Sequence, residues 1–99
     1  RGRVMINDGL YAVFIGKQHV LTKEIKGGKG KNYYPCDVVV PFGDFVIKQE
    51  KGRIKFDYKY YPFYDLLQPM KGTENAYRGK MYVYGKKWFD FILCRVEDK

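Results

Sequence analysis

His19 is the only histidine in this 99-residue chain, and the chain contains no serine, so few side chains are available for catalysis. A single imidazole acts as a general acid or base when a carboxylate faces it. Glu24, Asp37 and Asp57 are candidates, but the spacing places none of them beside His19. With lysine and arginine stabilising the phosphorane, this histidine would support metal-independent RNA cleavage. The favoured prediction is a surface histidine that begins a strand.

The stretch GGKGKN at positions 27–32 has the composition of a phosphate-binding loop but not its spacing. A P-loop requires a glycine five residues before its Gly-Lys pair and a serine or threonine after it. Ile25 and Asn32 hold those two positions. The pattern therefore predicts a flexible, solvated lysine loop over Lys26–Asn32.

Cysteine and histidine are too scarce for the common zinc sites, since Cys36 and Cys94 are the only cysteines. The carboxylates are scattered without metal-site spacing, so neither a metal nor another cofactor is predicted. A disulfide between the two cysteines would close a long loop. Because no secretion signal is visible, two reduced, buried thiols are the favoured alternative.

Basic residues interleaved with tyrosines are the strongest functional signal, with 19 lysines and arginines against 11 acids and with 10 tyrosines. Three clusters stand out. The first lies on and beside the glycine stretch, the second on the outward face of an alternating strand, and the third on a later strand. Their members are, in that order, Lys23, Lys26, Lys29 and Lys31; Arg53, Lys55 and Lys59; and Arg78, Lys80, Tyr82 and Tyr84.

Two kinds of partner fit these clusters. If the 61–75 connection brings the second and third clusters onto neighbouring strands, they form one basic, tyrosine-bearing sheet face. Such a face would steer the chain towards a protein partner with an acidic surface, and its tyrosines would supply rigid contact area. Single-stranded nucleic acid is the alternative, because phosphates would follow the cations and bases would stack on the rings. Lysine outnumbers arginine 14 to 5, and arginine is the better bidentate ligand of bases and phosphates, which weakens sequence-specific nucleic-acid recognition in particular. The protein partner is preferred because it requires the least of the sequence.

Strands must position these residues, because Val, Ile, Tyr, Phe, Trp and Thr total 35 while Ala, Leu, Met, Gln and Glu total 17. Turn signals recur about every ten residues, as in a meander, sandwich or barrel. Across Arg53–Tyr60 apolar and polar side chains alternate, which predicts a strand joined to the preceding one by a hairpin turn at Gln49–Arg53. A second hairpin is predicted around Gly85.

The segment from Pro62 to Asn75 interrupts this pattern. Residues 63–68 lie between Pro62 and Pro69 and are long enough for one helical turn. The predicted fold is therefore all-β: one small antiparallel meander barrel or sandwich of six to seven strands, with at most one short helical turn near 63–68.

One domain over residues 1–99 is expected, because a chain of this length supports a single core. Residues 1–4 precede Met5 and are either non-native expression residues or an ordinary start before an internal methionine. The longest apolar run, Leu10–Ile15, is far shorter than the roughly 20 residues that cross a bilayer. A cytoplasmic location and no membrane partner are therefore predicted, with the oligomeric state left open.

These observations together predict a non-enzymatic small β-barrel binding module of the protein-interaction or inhibitor type. The alternative is a single-stranded nucleic-acid-binding domain. The third option is a metal-independent ribonuclease that uses His19.

Overall fold

The computed structural model describes residues 6–96; residues 1–5 and 97–99, and with them the suspected non-native start at 1–4, lie outside the described residues. Within this part of the chain, eight strands and no helix form a closed antiparallel barrel, in which consecutive strands pair and the last pairs with the first. The strands are β1 (Gly9–Ile15), β2 (Gln18–Lys26), β3 (Lys29–Tyr33), β4 (Phe45–Glu50), β5 (Arg53–Tyr58), β6 (Phe63–Pro69), β7 (Ala76–Val83) and β8 (Lys86–Arg95). The predicted small all-β barrel is confirmed, with eight strands instead of six to seven.

Strand β5 shows how the alternating sequence produces the barrel. Its apolar members Ile54, Phe56 and Tyr58 are buried in the interior, and the polar residues between them are more exposed. The hairpin that joins β4 to β5 is present as predicted, and Gly52 in its turn has a φ of 71°. Tyr60 lies beyond the end of the strand and is exposed.

The segment at 63–68 is not a helical turn but part of strand β6, which pairs with β5 on one side and β7 on the other. Asp65 and Leu67 are buried in the interior, whereas Tyr64 and Leu66 between and beside them are only half-buried. The sequence of β6 shows no alternation of apolar and polar residues, because the carboxylate of Asp65 points inward while the side chains of Tyr64 and Leu66 point outward. Backbone hydrogen bonds to strands on both sides decide the conformation of this segment.

The glycine stretch is not a loop over Lys26–Asn32. Strands β2 and β3 form a hairpin there, and only Gly27 and Gly28 lie in its turn. Their φ angles of 60° and 81° are readily adopted by glycine, so the two glycines permit a tight connection between paired strands.

Aromatic rings fill much of the interior, and two strand glycines make room for them. Phe45 stacks on Phe56 with ring centroids 4.5 Å apart. The ring of Phe45 covers Gly30 and the ring of Phe91 covers Gly79, so closely that a Cβ on either glycine would collide with the ring. Close approach of side chains therefore explains glycine inside these two strands.

The connections between strands alternate between the two ends of the barrel, because consecutive strands run in opposite directions. One end, which we call the mouth, carries the connections at 16–17, 34–44, 59–62 and 84–85. The longest of these joins β3 to β4, two strands that share only two register pairs. The barrel wall is thus least extensively paired beside the longest loop of the mouth.

Candidate functional site

The lysines predicted near the glycine stretch separate into an exposed group and one buried residue. Lys26, Lys29 and Lys31 are exposed around the β2–β3 hairpin. Lys23 was expected beside them, but it points into the barrel and is 2% exposed. It shares the inward side of β2 with Ile25, two residues further along the strand.

A groove on the outside of the barrel collects the exposed lysines. Lys59 was expected on the outward face of β5, but it follows the end of that strand and joins this group. The groove has a volume of about 480 Å³, and its charged lining residues are Glu24, Lys26, Lys29, Lys31, Asp44 and Lys59. Four ammonium groups and two carboxylates make it weakly basic.

Lys23, Asn32, Tyr58 and Asp65 meet inside the barrel, and we call them the buried polar cluster. The Lys23 Nζ donates to Asn32 Oδ1 at 2.8 Å and to the Tyr58 hydroxyl at 2.6 Å. The Tyr58 hydroxyl donates to Asp65 Oδ2 at 3.1 Å and accepts a bond from Asn32 Nδ2 at 3.2 Å. Lys23 Nζ lies 3.5 Å from the same Asp65 oxygen. Four strands thus contribute to one connected network.

Burial dominates the electrostatics of this cluster. Loss of water lowers the pKa of Lys23, although the Asp65 carboxylate opposes that change. Burial also raises the pKa of Asp65 against the effect of Lys23, and it raises the pKa of Tyr58 well above its usual value. The ammonium group is further surrounded by rings, with centroids at 4.9 Å for Phe45 and 5.3 Å for Tyr58.

A cavity of about 200 Å³ lies against the buried polar cluster on the side of the mouth. Lys23, Asn32, Tyr58 and Asp65 form its polar part. The rest of its lining is predominantly apolar and includes Val13, Leu21, Val40, Phe63, Met81 and Phe91. An apolar cavity with a few convergent polar groups is the usual form of a small-molecule site.

The second and third predicted clusters share an outer surface, but they are not on neighbouring strands, because β6 separates β5 from β7. Lys55 and Lys80 each pair in register with Leu66, one from either side. Lys55 Nζ lies 4.6 Å from the ring centroid of Tyr64, and the ring of Tyr82 stacks on Tyr64 at 4.9 Å and 5°. We call Lys55, Tyr64, Lys80 and Tyr82 the basic face.

The other members of these two clusters lie around the basic face. Arg53 is exposed at the start of β5, and Arg78 is exposed on β7. Tyr84 lies in the β7–β8 turn with 80% of its surface exposed.

In residues 6–96, nine of the eleven exposed large apolar side chains lie at the mouth, namely Ile15, Tyr34, Val38, Val39, Phe42, Tyr60, Tyr61, Tyr84 and Trp88.

His19 is exposed and contacts the Thr22 hydroxyl at 3.1 Å through Nε2. Its ring also lies 5.5 Å from that of Phe14. Two of its candidate partners are engaged elsewhere, because Glu24 accepts a hydrogen bond from Tyr33, and Asp57 is paired with Lys48. The hydrogen bond that the structure shows for the His19 ring is with a hydroxyl group, not with one of these two carboxylates.

The two cysteines are free thiols. Cys36 was expected to be buried, but it is exposed on the loop between β3 and β4, and Cys94 on β8 is half-buried. Among residues 6–96, no group of three or more histidine, cysteine, aspartate or glutamate side chains is arranged to hold a metal ion.

The buried polar cluster is the feature that reasoning from the sequence missed, although a signal for it was present. Lys23 stands between Leu21 and Ile25 at period two, and Asp65 stands between Phe63 and Leu67 in the same way. A charged residue at an inward position of an alternating strand predicts a buried charge that needs a partner.

Comparison with known proteins gives no relative: no protein family, curated protein or solved structure matches this chain. Within residues 6–96 there is no helix with the length and apolar character needed to span a membrane.

Proposed function

We propose that this chain is a binding module that docks onto an acidic protein surface through the basic face and the adjoining β7–β8 hairpin. The observation that carries the proposal is the exposure of Trp88 and Tyr84, at 65% and 80%. Both lie at the mouth end of the hairpin that bears Lys80 and Tyr82. Tryptophan and tyrosine exposed beside a charged surface are typical anchors of protein interfaces.

The side chains of the basic face already contact one another in the free chain. Strands β5 and β7 flank β6 on opposite sides, so the ring of Tyr64 is held between Lys55 and Tyr82. Side chains that are already fixed lose little conformational entropy on association, which increases the affinity gained per contact. The lysines would mainly accelerate association with an acidic partner.

The same stacking favours a protein over single-stranded nucleic acid. A base needs a free ring face, and the ring of Tyr64 is already in contact with both Lys55 and Tyr82. Two carboxylates also stand near the cations on this surface, since Asp57 pairs with Lys48, and Asp90 pairs with Lys87. These carboxylates would repel phosphates, whereas a protein surface of mixed charge accommodates both signs.

The test is capture from a lysate of the source cells by the immobilised full chain, followed by titration of whatever protein is retained. Two variants address the surface: Lys55→Glu with Lys80→Glu, and Trp88→Ala. The matched control is Lys51→Glu with Lys71→Glu, which makes the same charge change in exposed turns at the opposite end of the barrel. We expect one protein to bind the wild type and the control alike, and to bind both surface variants at least about tenfold more weakly.

A protein captured equally by all four chains would contradict the proposal. The nucleic-acid alternative has its own readout, which is fluorescence anisotropy with labelled single-stranded DNA and RNA. Binding that falls steeply with salt and disappears in the Lys55→Glu, Lys80→Glu chain would replace the protein partner by nucleic acid.

A further inference from the structure

The cavity at the mouth lies inside the barrel and takes no part in the proposed docking surface. Its polar side is the buried polar cluster, and its apolar side is formed by residues of several strands together with Val40 of the long mouth loop. Docking onto an acidic protein surface does not require an internal cavity. A different kind of ligand is therefore needed to explain it.

Stability alone does not account for the cluster. Taking Lys23 and Asp65 out of water is unfavourable, and well-packed apolar residues in place of a buried ion pair are often at least as stable. The two side chains are 3% and 4% exposed and border space that the protein does not fill. Buried polar groups that line a cavity are characteristic of binding sites.

The cluster has hydrogen-bonding capacity left for a ligand. Its internal bonds engage Oδ2 of Asp65 and one N–H of the Asn32 amide. Every fully buried side-chain nitrogen and oxygen within residues 6–96 has a hydrogen-bond partner. Asp65 Oδ1 and the second N–H of Asn32 take no part in these bonds, and both residues line the cavity. One acceptor and one donor of the cluster thus remain outside its internal bonds.

The charge of the cluster selects an uncharged ligand. Lys23 and Asp65 sum to zero whether the pair is ionised or has exchanged its proton. A charged ligand would bring an unpaired charge against the Lys23 and Asp65 side chains, which are only 3% and 4% exposed, and this is unfavourable. A hydroxyl or primary amide group provides both a donor and an acceptor without net charge.

The volume limits the ligand to a compact molecule. An apolar protein cavity of about 150 Å³ is known to hold a benzene ring, and this cavity has about 200 Å³. We propose that the barrel interior binds a small uncharged molecule, an apolar ring of that size carrying one hydroxyl or amide group. The polar group would lie on Asn32 and Asp65, and the ring would lie against Phe63, Met81 and Phe91.

Methyl-labelled methionine gives a direct readout in the full chain. Met81 lines the cavity, whereas Met70 lies in the β6–β7 connection at the opposite end of the barrel and serves as an internal control. The probe is benzyl alcohol, which has one ring and one hydroxyl. We expect its titration to shift the Met81 methyl resonance saturably and to leave the Met70 resonance unchanged.

Three molecules of similar size separate the contributions to binding. Toluene lacks the hydroxyl and should bind about tenfold more weakly, the equivalent of one net hydrogen bond. Benzoate and benzylammonium carry opposite charges, and both should bind at least about 100-fold more weakly because the site is neutral overall. Equal affinity for toluene and benzyl alcohol would overturn the proposal, as would tight binding of either ion.

A pair of loop variants shows whether the ligand enters the cavity itself. Val40→Trp introduces a large side chain into the lining, and Val38→Trp introduces the same side chain at an exposed position of the same loop. We expect the Met81 response to be lost in the first variant and retained in the second. A response retained in folded Val40→Trp would overturn the proposal, and the ligand series on the wild type decides the matter if that variant does not fold.

Discussion

Two lysines of this barrel lie over tyrosine rings, one inside and one outside. Lys23 Nζ is 5.3 Å from the ring centroid of Tyr58 in the interior, and Lys55 Nζ is 4.6 Å from that of Tyr64 on the outer surface. Lys23 is 2% exposed, whereas Lys55 is only partly covered. The contact between cation and ring is similar, but the access to water is not.

The difference shows that solvent, more than the contact itself, sets the role of each residue. Lys23 has lost its hydration and depends on Asp65, Asn32 and Tyr58 for compensation. Lys55 keeps contact with water, so its attraction to the ring of Tyr64 is screened and weak. The interior lysine is therefore held in a fixed network, while the outer one remains available to a partner.

Replacing the two lysines should have very different effects on stability. Lys23→Met leaves the Asp65 carboxylate unpaired in the interior, and we expect a loss of about 3–5 kcal/mol in the free energy of unfolding. Lys55→Met removes only a partly exposed contact and should change it by about 0.5–1 kcal/mol at most. Urea denaturation of both variants checks this, and similar losses in the two would contradict the contrast between interior and surface.

Substitutions at two consecutive residues of β7 should show the same difference in stability between the packed interior and the surface. In Gly79→Ala the new Cβ collides with the ring of Phe91, so we expect a loss of about 1–3 kcal/mol. Lys80→Ala is the control on the outer side of the strand and should stay within about 0.5 kcal/mol of the wild type. Thermal and urea unfolding provide both values. A Gly79→Ala chain with the same free energy of unfolding as the wild type would mean that the ring of Phe91 is not packed tightly against position 79.

Alkaline pH should reveal the same loss of water at Tyr11, the register partner of Lys23 on β1. Tyr11 is fully buried, and its hydroxyl donates to the Asn7 carbonyl oxygen at 2.7 Å. The pKa of Tyr11 is raised to about 12, and burial is the largest cause of this rise. In the unfolded chain a phenol loses its proton near pH 10, so the stability that Tyr11 contributes is present below that pH. It is lost as the pH rises from about 10 to about 12.

The matched variant for this effect is Tyr11→Phe, which keeps the ring and removes the ionisable hydroxyl. We expect the wild type to lose stability more steeply than the variant across that pH window, an effect smaller than those of the two substitutions above. Urea unfolding at several pH values between 8 and 12 measures the slopes. Identical slopes would show that the folded and unfolded states bind the Tyr11 proton equally.

The sequence predicted the elements whose pattern is local, and it failed where contacts between distant residues decide the outcome. The alternation in β5, the hairpin that precedes it and the β7–β8 hairpin around Gly85 could be read directly, because side-chain period and turn glycines act over a few residues. Strand β6 could not, since its inward Asp65 becomes tolerable only when Lys23 lies opposite it. The same pairing moved Lys23 from an expected surface cluster to the interior.

The structure places three residues of the predicted clusters on one outer surface. Lys55, Lys80 and Tyr82 do face outward, but the strand between them, and with it Tyr64, was not anticipated as a strand. The cavity had no signal in the sequence, because a barrel interior is defined only when eight strands close. Short-range patterns thus predicted the strands of the barrel wall better than the buried polar cluster and the cavity inside it.

The decisive variant replaces both charged members of the buried polar cluster by apolar residues, Lys23→Met with Asp65→Leu. We expect this chain to have a higher free energy of unfolding than Lys23→Met alone, because no buried charge is left unpaired. We also expect benzyl alcohol to bind this chain at least about tenfold more weakly than the wild type, as measured by the shift of the Met81 methyl resonance. A double variant that binds benzyl alcohol as tightly as the wild type would contradict the central claim that the interior lysine and aspartate serve a ligand.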